Sequence, residues 1–172
     1  LQPCLQANTG AACRPGLWSW KQWLIALYLP LLAMPVPAAD LPDENGKPAD
    51  IRLTLLNGES FDLKQQRDHP VLVMIWASWC PICLSELPQL QHYFQKQQAN
   101  GLQLLALSLD DNDAAIREAL QKAGVSFPAA RRNAPGNYDN LDKTQVTPLF
   151  YLIGSNGKVR WRRIGALTHQ LH

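Results

Sequence analysis

Two cysteines separated by two residues, Cys80 and Cys83, are the side chains of this sequence best suited to covalent chemistry. A thiolate attacks disulfides, and a neighbouring thiol can resolve the mixed disulfide that forms. The pair lies in Trp76-Ala77-Ser78-Trp79-Cys80-Pro81-Ile82-Cys83, directly after the six-residue apolar run Val71 to Trp76. That run shows no alternation, as expected of a central strand covered on both faces. After the cysteines, Leu84, Leu87, Leu90 and Phe94 recur at helical spacing. A strand therefore delivers the pair to a helix N-terminus. Orphan backbone N–H groups and the helix dipole there favour a negative sulfur. The arrangement reads as a dithiol/disulfide redox centre, with Cys80 at the helix tip as nucleophile and Cys83, one turn in, as resolving thiol.

Cys-x-x-Cys also serves zinc sites, which need four ligands. The nearest histidines, His69 and His92, form no partner pair at suitable spacing. A metal- or haem-handling protein with the cysteines as ligands is the alternative reading, copper ahead of structural zinc. A permanent Cys80–Cys83 disulfide without turnover is another. Glu86 falls three residues after Cys83, and positions three apart share a helix face. A partly buried carboxylate there can exchange a proton during thiol exchange; an ordinary exposed helix glutamate is the bland alternative. Trp79 flanks the pair, whereas Trp76 belongs to the core. His169 and His172 are three apart near the end of the sequence and are assigned no role.

The longer run WASWCPICLSELP resembles the thioredoxin superfamily, and within it the TlpA/ResA-like branch of extracytoplasmic thiol-disulfide oxidoreductases. That branch shows W-C-x-x-C-x-x-E-x-P, matched by Trp79, Cys80, Cys83, Glu86 and Pro88. The resemblance covers about residues 50 to 168. It implies an α/β thioredoxin-like fold, a central mixed β-sheet flanked by helices, with an added N-terminal β-hairpin. It implies a redox-active Cys80–Cys83 disulfide with Glu86 as a third catalytic residue. It also implies substrate contacts at Trp79, Pro81, Ile82, Thr147 and Pro148, with Pro148 in cis opposite the cysteines. No cofactor or metal is implied. The implied partners are protein thiols and disulfides and a membrane-bound electron donor of the thiol-disulfide transporter type, with cytochrome c maturation as one setting. Thioredoxin itself places a buried aspartate six residues before the first cysteine; Met74 stands there, which leaves Glu86 as the main candidate for proton handling. Peroxidatic relatives usually carry Thr-x-x-Cys, and this motif lacks that threonine.

Around this centre, 172 residues suit one domain plus an appendage. Apolar content of 47% is that of a globular chain. The formal net charge is +2, and no basic run suggests nucleic-acid binding. Arg14 and Lys21 are the only basic residues before Asp40, and every acidic residue lies from Asp40 on, so the remainder is neutral. Cys4 and Cys13 precede the apolar segment, with no foldable sequence around them to support a disulfide.

Residues 1–39 are expected to be a signal peptide or membrane anchor region. Lys21 precedes the apolar run Trp23 to Met34, and small residues follow to Ala39, the order of a secretory signal. The run is shorter than the roughly 20 apolar residues of a spanning helix, and Pro30 interrupts it. A cleaved signal ending near Ala38 or Ala39 is therefore favoured over an uncleaved anchor, with a buried helix as the remaining reading. Residues 40–50, with two prolines, a glycine and four acidic residues, read as a linker. Residues 51–172 then form the domain.

Within it, Ile51 to Leu55 alternates as a half-buried strand, and Asn57-Gly58 turns it back into Ser60 to Leu63. The helix from Cys80 is expected to reach about Gln98, bent by Pro88. Leu102 to Leu109 is a second apolar strand, followed by Asp110 to Asp113, which can cap a helix buried through Ile116, Ala119, Leu120 and Ala123. A short strand is expected at Phe127 to Ala130. Arg131 to Thr147 is a long polar stretch expected to hold a short helical turn. Leu149 to Ile153 and Lys158 to Arg163 pair around Gly154-Ser155-Asn156-Gly157, a hairpin turn; its glycines and lysine lack the spacing and the following helix of a phosphate loop. Thr168 is expected to start a last helix cut short by the end of the sequence.

Overall fold

The apolar run Val71–Trp76 is the middle strand of a five-stranded sheet, with all six side chains buried. The structure, a computed structural model, describes residues 46–167, all within the compact unit Asp40–His172. The signal or anchor region, Cys4, Cys13, most of the linker, and Thr168, His169 and His172 lie outside the described residues.

In chain order the strands are β1 (Ile51–Thr54), β2 (Ser60–Asp62), β3 (Val71–Trp76), β4 (Gln103–Ser108), β5 (Ala129–Arg131), β6 (Tyr138–Asp139), β7 (Leu149–Ile153) and β8 (Val159–Ile164). Helix α1 (Pro81–Gln97) lies between β3 and β4, and α2 (Asp113–Lys122) between β4 and β5. The large sheet runs β5-β4-β3-β7-β8. Strands β3, β4 and β5 are parallel, and β7 runs antiparallel to both β3 and β8. This is the mixed sheet of a thioredoxin-like α/β fold. A parallel β3–β4 pair needs a crossover of a dozen or more residues, and α1 supplies it.

Helix α1 buries Cys83, Glu86, Leu87, Leu90, Gln91 and Phe94. Burying each leucine contributes roughly 1.5–3 kcal/mol. Phe94 meets Phe127 edge to face at 6.4 Å between ring centroids. Pro88 sits inside α1 without ending it. The helix closes through a 3-10 turn at Gln98–Asn100 and Gly101 at φ +84°. A side chain at Gly101 would be strained there, and its Cβ would stand 2.9 Å from His69 Nδ1. Helix α2 is capped by Asn112, whose side chain accepts the Ala114 N–H at 2.8 Å. Among the described residues no helix is long and apolar enough to cross a membrane.

The expected N-terminal hairpin is present as β1 and β2, with Gly58 at φ +88° in its turn. It is larger than expected, because β6 adds to the free edge of β1. This corrects the reading of residues 131–147, which hold turns and a two-residue strand and no helical turn. Two asparagines explain the difference. Asn137 Oδ1 accepts the Thr54 N–H at 2.7 Å, and Asn140 Oδ1 accepts the Asp50 N–H at 2.8 Å. The two side chains thus tie the segment to the backbone in and beside β1 and hold it along that strand's edge instead of letting it coil on itself. The segment is pinned further by Arg132, whose guanidinium forks onto Asp139 at 2.7 and 2.9 Å and donates to the Asp142 carbonyl. The short strand expected at Phe127 to Ala130 lies slightly later, at β5.

Candidate active site

Cys80 is the residue that caps α1. Its backbone is extended (φ −94°, ψ 108°), and its sulfur accepts the Cys83 N–H at 3.3 Å. Pro81 follows at the first helical position, where its missing N–H costs nothing and its fixed φ suits the helix. The Cys80 N–H donates to the Ala77 carbonyl at 3.1 Å, closing a turn between the end of β3 and the start of α1. Strand, turn and helix thus present the first sulfur at the helix tip, as the sequence pattern requires.

The two sulfurs have different surroundings. Cys80 retains 5% exposure and Cys83 none, and they are unbridged. Burial raises the Cys80 thiol, but hydrogen bonds from the Cys83 thiol, the Thr147 hydroxyl and the N–H groups of Cys83 and Ile82 outweigh it, and its pKa is lowered. For Cys83 burial dominates, reinforced by its hydrogen bond to the Cys80 sulfur, and the thiol is pushed up to about 12. A nucleophile that ionises readily is thereby paired with a thiol that keeps its proton until it acts.

Glu86 is 1% exposed, so the exposed-glutamate reading is overturned, and the carboxylate is more deeply buried than the partly buried one expected. Its Oε2 accepts the Leu167 N–H at 2.8 Å. It lies one turn beyond Cys83 on the same face of α1. The Thr147–Pro148 peptide bond is cis, at the entry to β7. Thr147 reaches both sulfurs, so the structure brings together residues far apart in the sequence. Trp79 is 63% exposed, Pro81 and Ile82 are exposed between the cysteines, and Val146 is exposed next to Thr147. Trp76 and Met74 are fully buried. Among the described residues no three His, Cys, Asp or Glu side chains gather as a metal site.

One group was not anticipated. Asp110, expected to help cap α2, turns instead toward the active-site turn and accepts the Ser78 N–H at 2.8 Å and the Ser78 hydroxyl at 2.6 Å. Ser108 donates to the same carboxylate. The signal for it was the parallel pairing of β3 and β4, which sets the polar residues after each strand side by side.

A helix-capping dithiol with one acidified and one buried sulfur, on the central strand of a mixed sheet and facing a cis-proline, defines a thioredoxin-like thiol-disulfide oxidoreductase of the TlpA/ResA-like type. The chain belongs to the Redoxin family, which matches residues 34–170. It is 28% identical over 127 residues to the thiol-disulfide oxidoreductase ResA of Bacillus thuringiensis (strain Al Hakam), covering 69% of this chain and 68% of that protein. Among solved structures, StoA from Bacillus subtilis superposes with a TM-score of 0.59 at 22% identity, covering 73% of this chain and 96% of that one. A thiol:disulfide interchange protein of the thioredoxin family from Chlorobium tepidum TLS gives 0.62 at 16%, covering 75% and 93%. These two likenesses concern the fold.

Proposed function

We propose that the chain reduces disulfides of other proteins outside the cytoplasm through the Cys80–Cys83 dithiol. The observation that carries this reading is the placement of the pair at one helix tip, Cys80 as the cap accepting the Cys83 N–H and Cys83 fully buried one turn in. The Cys80 thiolate attacks a substrate disulfide, forming a Cys80–substrate bond and releasing one substrate thiolate. Cys83 then gives up its proton and attacks the Cys80 sulfur. The Cys80–Cys83 disulfide forms, the second substrate thiolate leaves, and two electrons have passed to the substrate. In this reading Glu86, one turn beyond Cys83 on α1, accepts the Cys83 proton. Trp79, Pro81 and Ile82 on one side and Thr147 and Pro148 on the other supply the surface against which a substrate chain lies.

Restoring the dithiol requires an outside reductant, and a membrane-bound dithiol donor of the transporter type fills that place, with cytochrome c maturation as the setting. Residues 1–39 act as a cleaved export signal, or as a tether, ahead of the domain at 51–172. The order of Lys21, the apolar run and Ala38-Ala39 supports this.

The test is stoichiometric. The dithiol form mixed with a protein disulfide should lose two thiols for every two the substrate gains, and Cys80→Ser should abolish the transfer. A dithiol form that transfers nothing would overturn the reading. For localisation, residues 1–45 fused to a reporter active only outside the cytoplasm should give activity; a silent reporter would remove the export claim alone.

A further inference from the structure

We propose that Asp110 is a positioning residue of the reaction, holding the Ala77–Cys80 turn so that the Cys80 sulfur stays over the N-terminus of α1. The inference rests on the redox reading of Cys80 and deepens it.

Asp110 is 7% exposed, and a buried carboxylate is costly unless hydrogen bonds satisfy it. Nearly all its acceptor capacity is spent on one loop and its support. Oδ2 takes the Ser78 N–H and Oδ1 the Ser78 hydroxyl, at 2.8 and 2.6 Å. The Ser108 hydroxyl donates to Oδ2 and in turn accepts the Asp110 N–H at 3.0 Å. Bonds to an ionised acceptor are roughly twice as strong as neutral ones. They also pull the Asp110 carboxyl below its ordinary range, outweighing the opposing effect of burial.

The site is built by register. Trp76 pairs with Ser108 across β3 and β4, and the Leu109 N–H donates to the Trp76 carbonyl at 2.9 Å. Continuing two residues past each strand sets Ser78 opposite Asp110. Ser78 is the second residue of the turn that the Cys80 N–H closes onto Ala77. The same turn fixes Cys80 against the N–H groups of Ile82 and Cys83, and Ala77 against the Cys83 sulfur. Asp110 grips this turn from the neighbouring strand, at two atoms of one residue.

Charge and position make opposite demands here. A carboxylate near a sulfur opposes its ionisation, so simple repulsion predicts that any uncharged replacement makes Cys80 more acidic. Positioning predicts that a replacement which releases the turn makes Cys80 less acidic, because the sulfur loses its donors. Asparagine keeps an oxygen for the Ser78 N–H and an amide that can donate to the Ser78 hydroxyl oxygen; alanine keeps neither.

The experiment uses the full chain in its dithiol form, with iodoacetamide alkylation of Cys80 followed by peptide mass across a pH series. Around Cys80 the titrating neighbour is the Cys83 thiol, which stays protonated through the window, while Thr147 and the two N–H groups are fixed donors. Asp110→Ala should raise the midpoint of Cys80 alkylation by about one pH unit, a loss of up to about tenfold in rate below the native midpoint. Asp110→Asn should leave the midpoint unchanged or lower it, and should restore exchange with a protein disulfide to within about twofold of the parent. A folded Asp110→Ala with an unchanged or lower midpoint would overturn the proposal, as would an asparagine variant shifted upward as far as the alanine one. Should Asp110→Ala fail to fold, Ser78→Ala decides: a raised midpoint supports the role and an unchanged one overturns it. Alkylation needs no substrate, so a parent protein that titrates normally but exchanges no disulfide would count against the redox reading and not against this one.

Discussion

The Leu167 N–H donates to Glu86 Oε2 at 2.8 Å, so the carboxylate one turn beyond the resolving cysteine also ties down the backbone that follows β8. One buried side chain thereby serves two links of the chain from structure to function. It anchors a segment distant in sequence, and it stands on the helix face that carries Cys83. Removing the side chain would leave a buried N–H unpaired, at a cost of about 1–3 kcal/mol.

The two roles separate by substitution. Glu86→Gln retains an oxygen for Leu167 but cannot take a proton, whereas Glu86→Ala loses both. Urea unfolding should therefore show the larger loss in the alanine variant. Rapid-mixing measurements should show both variants closing the Cys80–Cys83 disulfide about 100-fold more slowly than the parent, the low side of what a positioned acid or base contributes. A glutamine variant that closes at the native rate would leave Glu86 as a tether alone.

Stability of the dithiol form should depend on pH with a definite sign. Burial pushes Cys83 from 9.0 in an ordinary thiol up to about 12, so the folded chain keeps a proton that the unfolded chain has already released. Between about pH 9 and about 12 the unfolded state binds fewer protons, and stability falls as pH rises. Cys80 acts oppositely: its lowered pKa adds stability as pH rises toward 9.0. Denaturant titrations of the reduced protein across this range should show the alkaline decline, and Cys83→Ala should flatten it. A decline of equal slope in that variant would place its origin elsewhere.

Arg132 and Asp139 form a fork-to-fork pair with side chains only 3% and 2% exposed. Taking away one partner strands a buried charge, which costs about 3–5 kcal/mol. Arg132→Met and Asp139→Leu should each destabilise the domain on that scale, and the double variant should be less damaged than either. Denaturant unfolding of the four proteins measures this directly. Strict additivity would show that the pair does not act as a unit.

What was legible in the sequence was local. The run Val71 to Trp76 announces a covered strand, and the leucines after Cys83 announce its helix, because each pattern is complete within a few turns of chain. Glu86 was readable by its spacing from Cys83, though its full burial was not, since that depends on the backbone at Leu167. Thr147 and Pro148 were placed at the site by resemblance, not by any local pattern. Asp110 reads in the sequence as one more cap residue of the run to Asp113, and its partner Ser78 is brought to it only by the β3–β4 register. Residues 131–147 read as a polar loop with a helical turn. Their order comes instead from Asn137, Asn140 and the Arg132–Asp139 pair, whose partners lie in β1, just before it, or across the loop itself.

The division of labour between the sulfurs makes the sharpest demand. If Cys80 attacks and Cys83 resolves, Cys83→Ser begins the reaction and cannot finish it. Disulfide-linked adducts with partner proteins should then accumulate, visible as higher-mass species that collapse on adding thiol. Cys80→Ser should trap little, because the remaining sulfur is buried and holds its proton until about pH 12. Serine at position 83 preserves the N–H that the Cys80 sulfur accepts, so the first step keeps its donor. Its hydroxyl can also stand in for the thiol as a hydrogen-bond donor to the Cys80 sulfur, so the attacking thiolate stays stabilised. At neutral pH Cys83→Ser should accumulate adducts while Cys80→Ser stays near background. Equal trapping by the two variants would reverse the assignment of nucleophile. Absence of trapping in a folded Cys83→Ser protein would turn the cysteines from redox partners into candidates for metal ligation, which metal content of the purified chain would then decide.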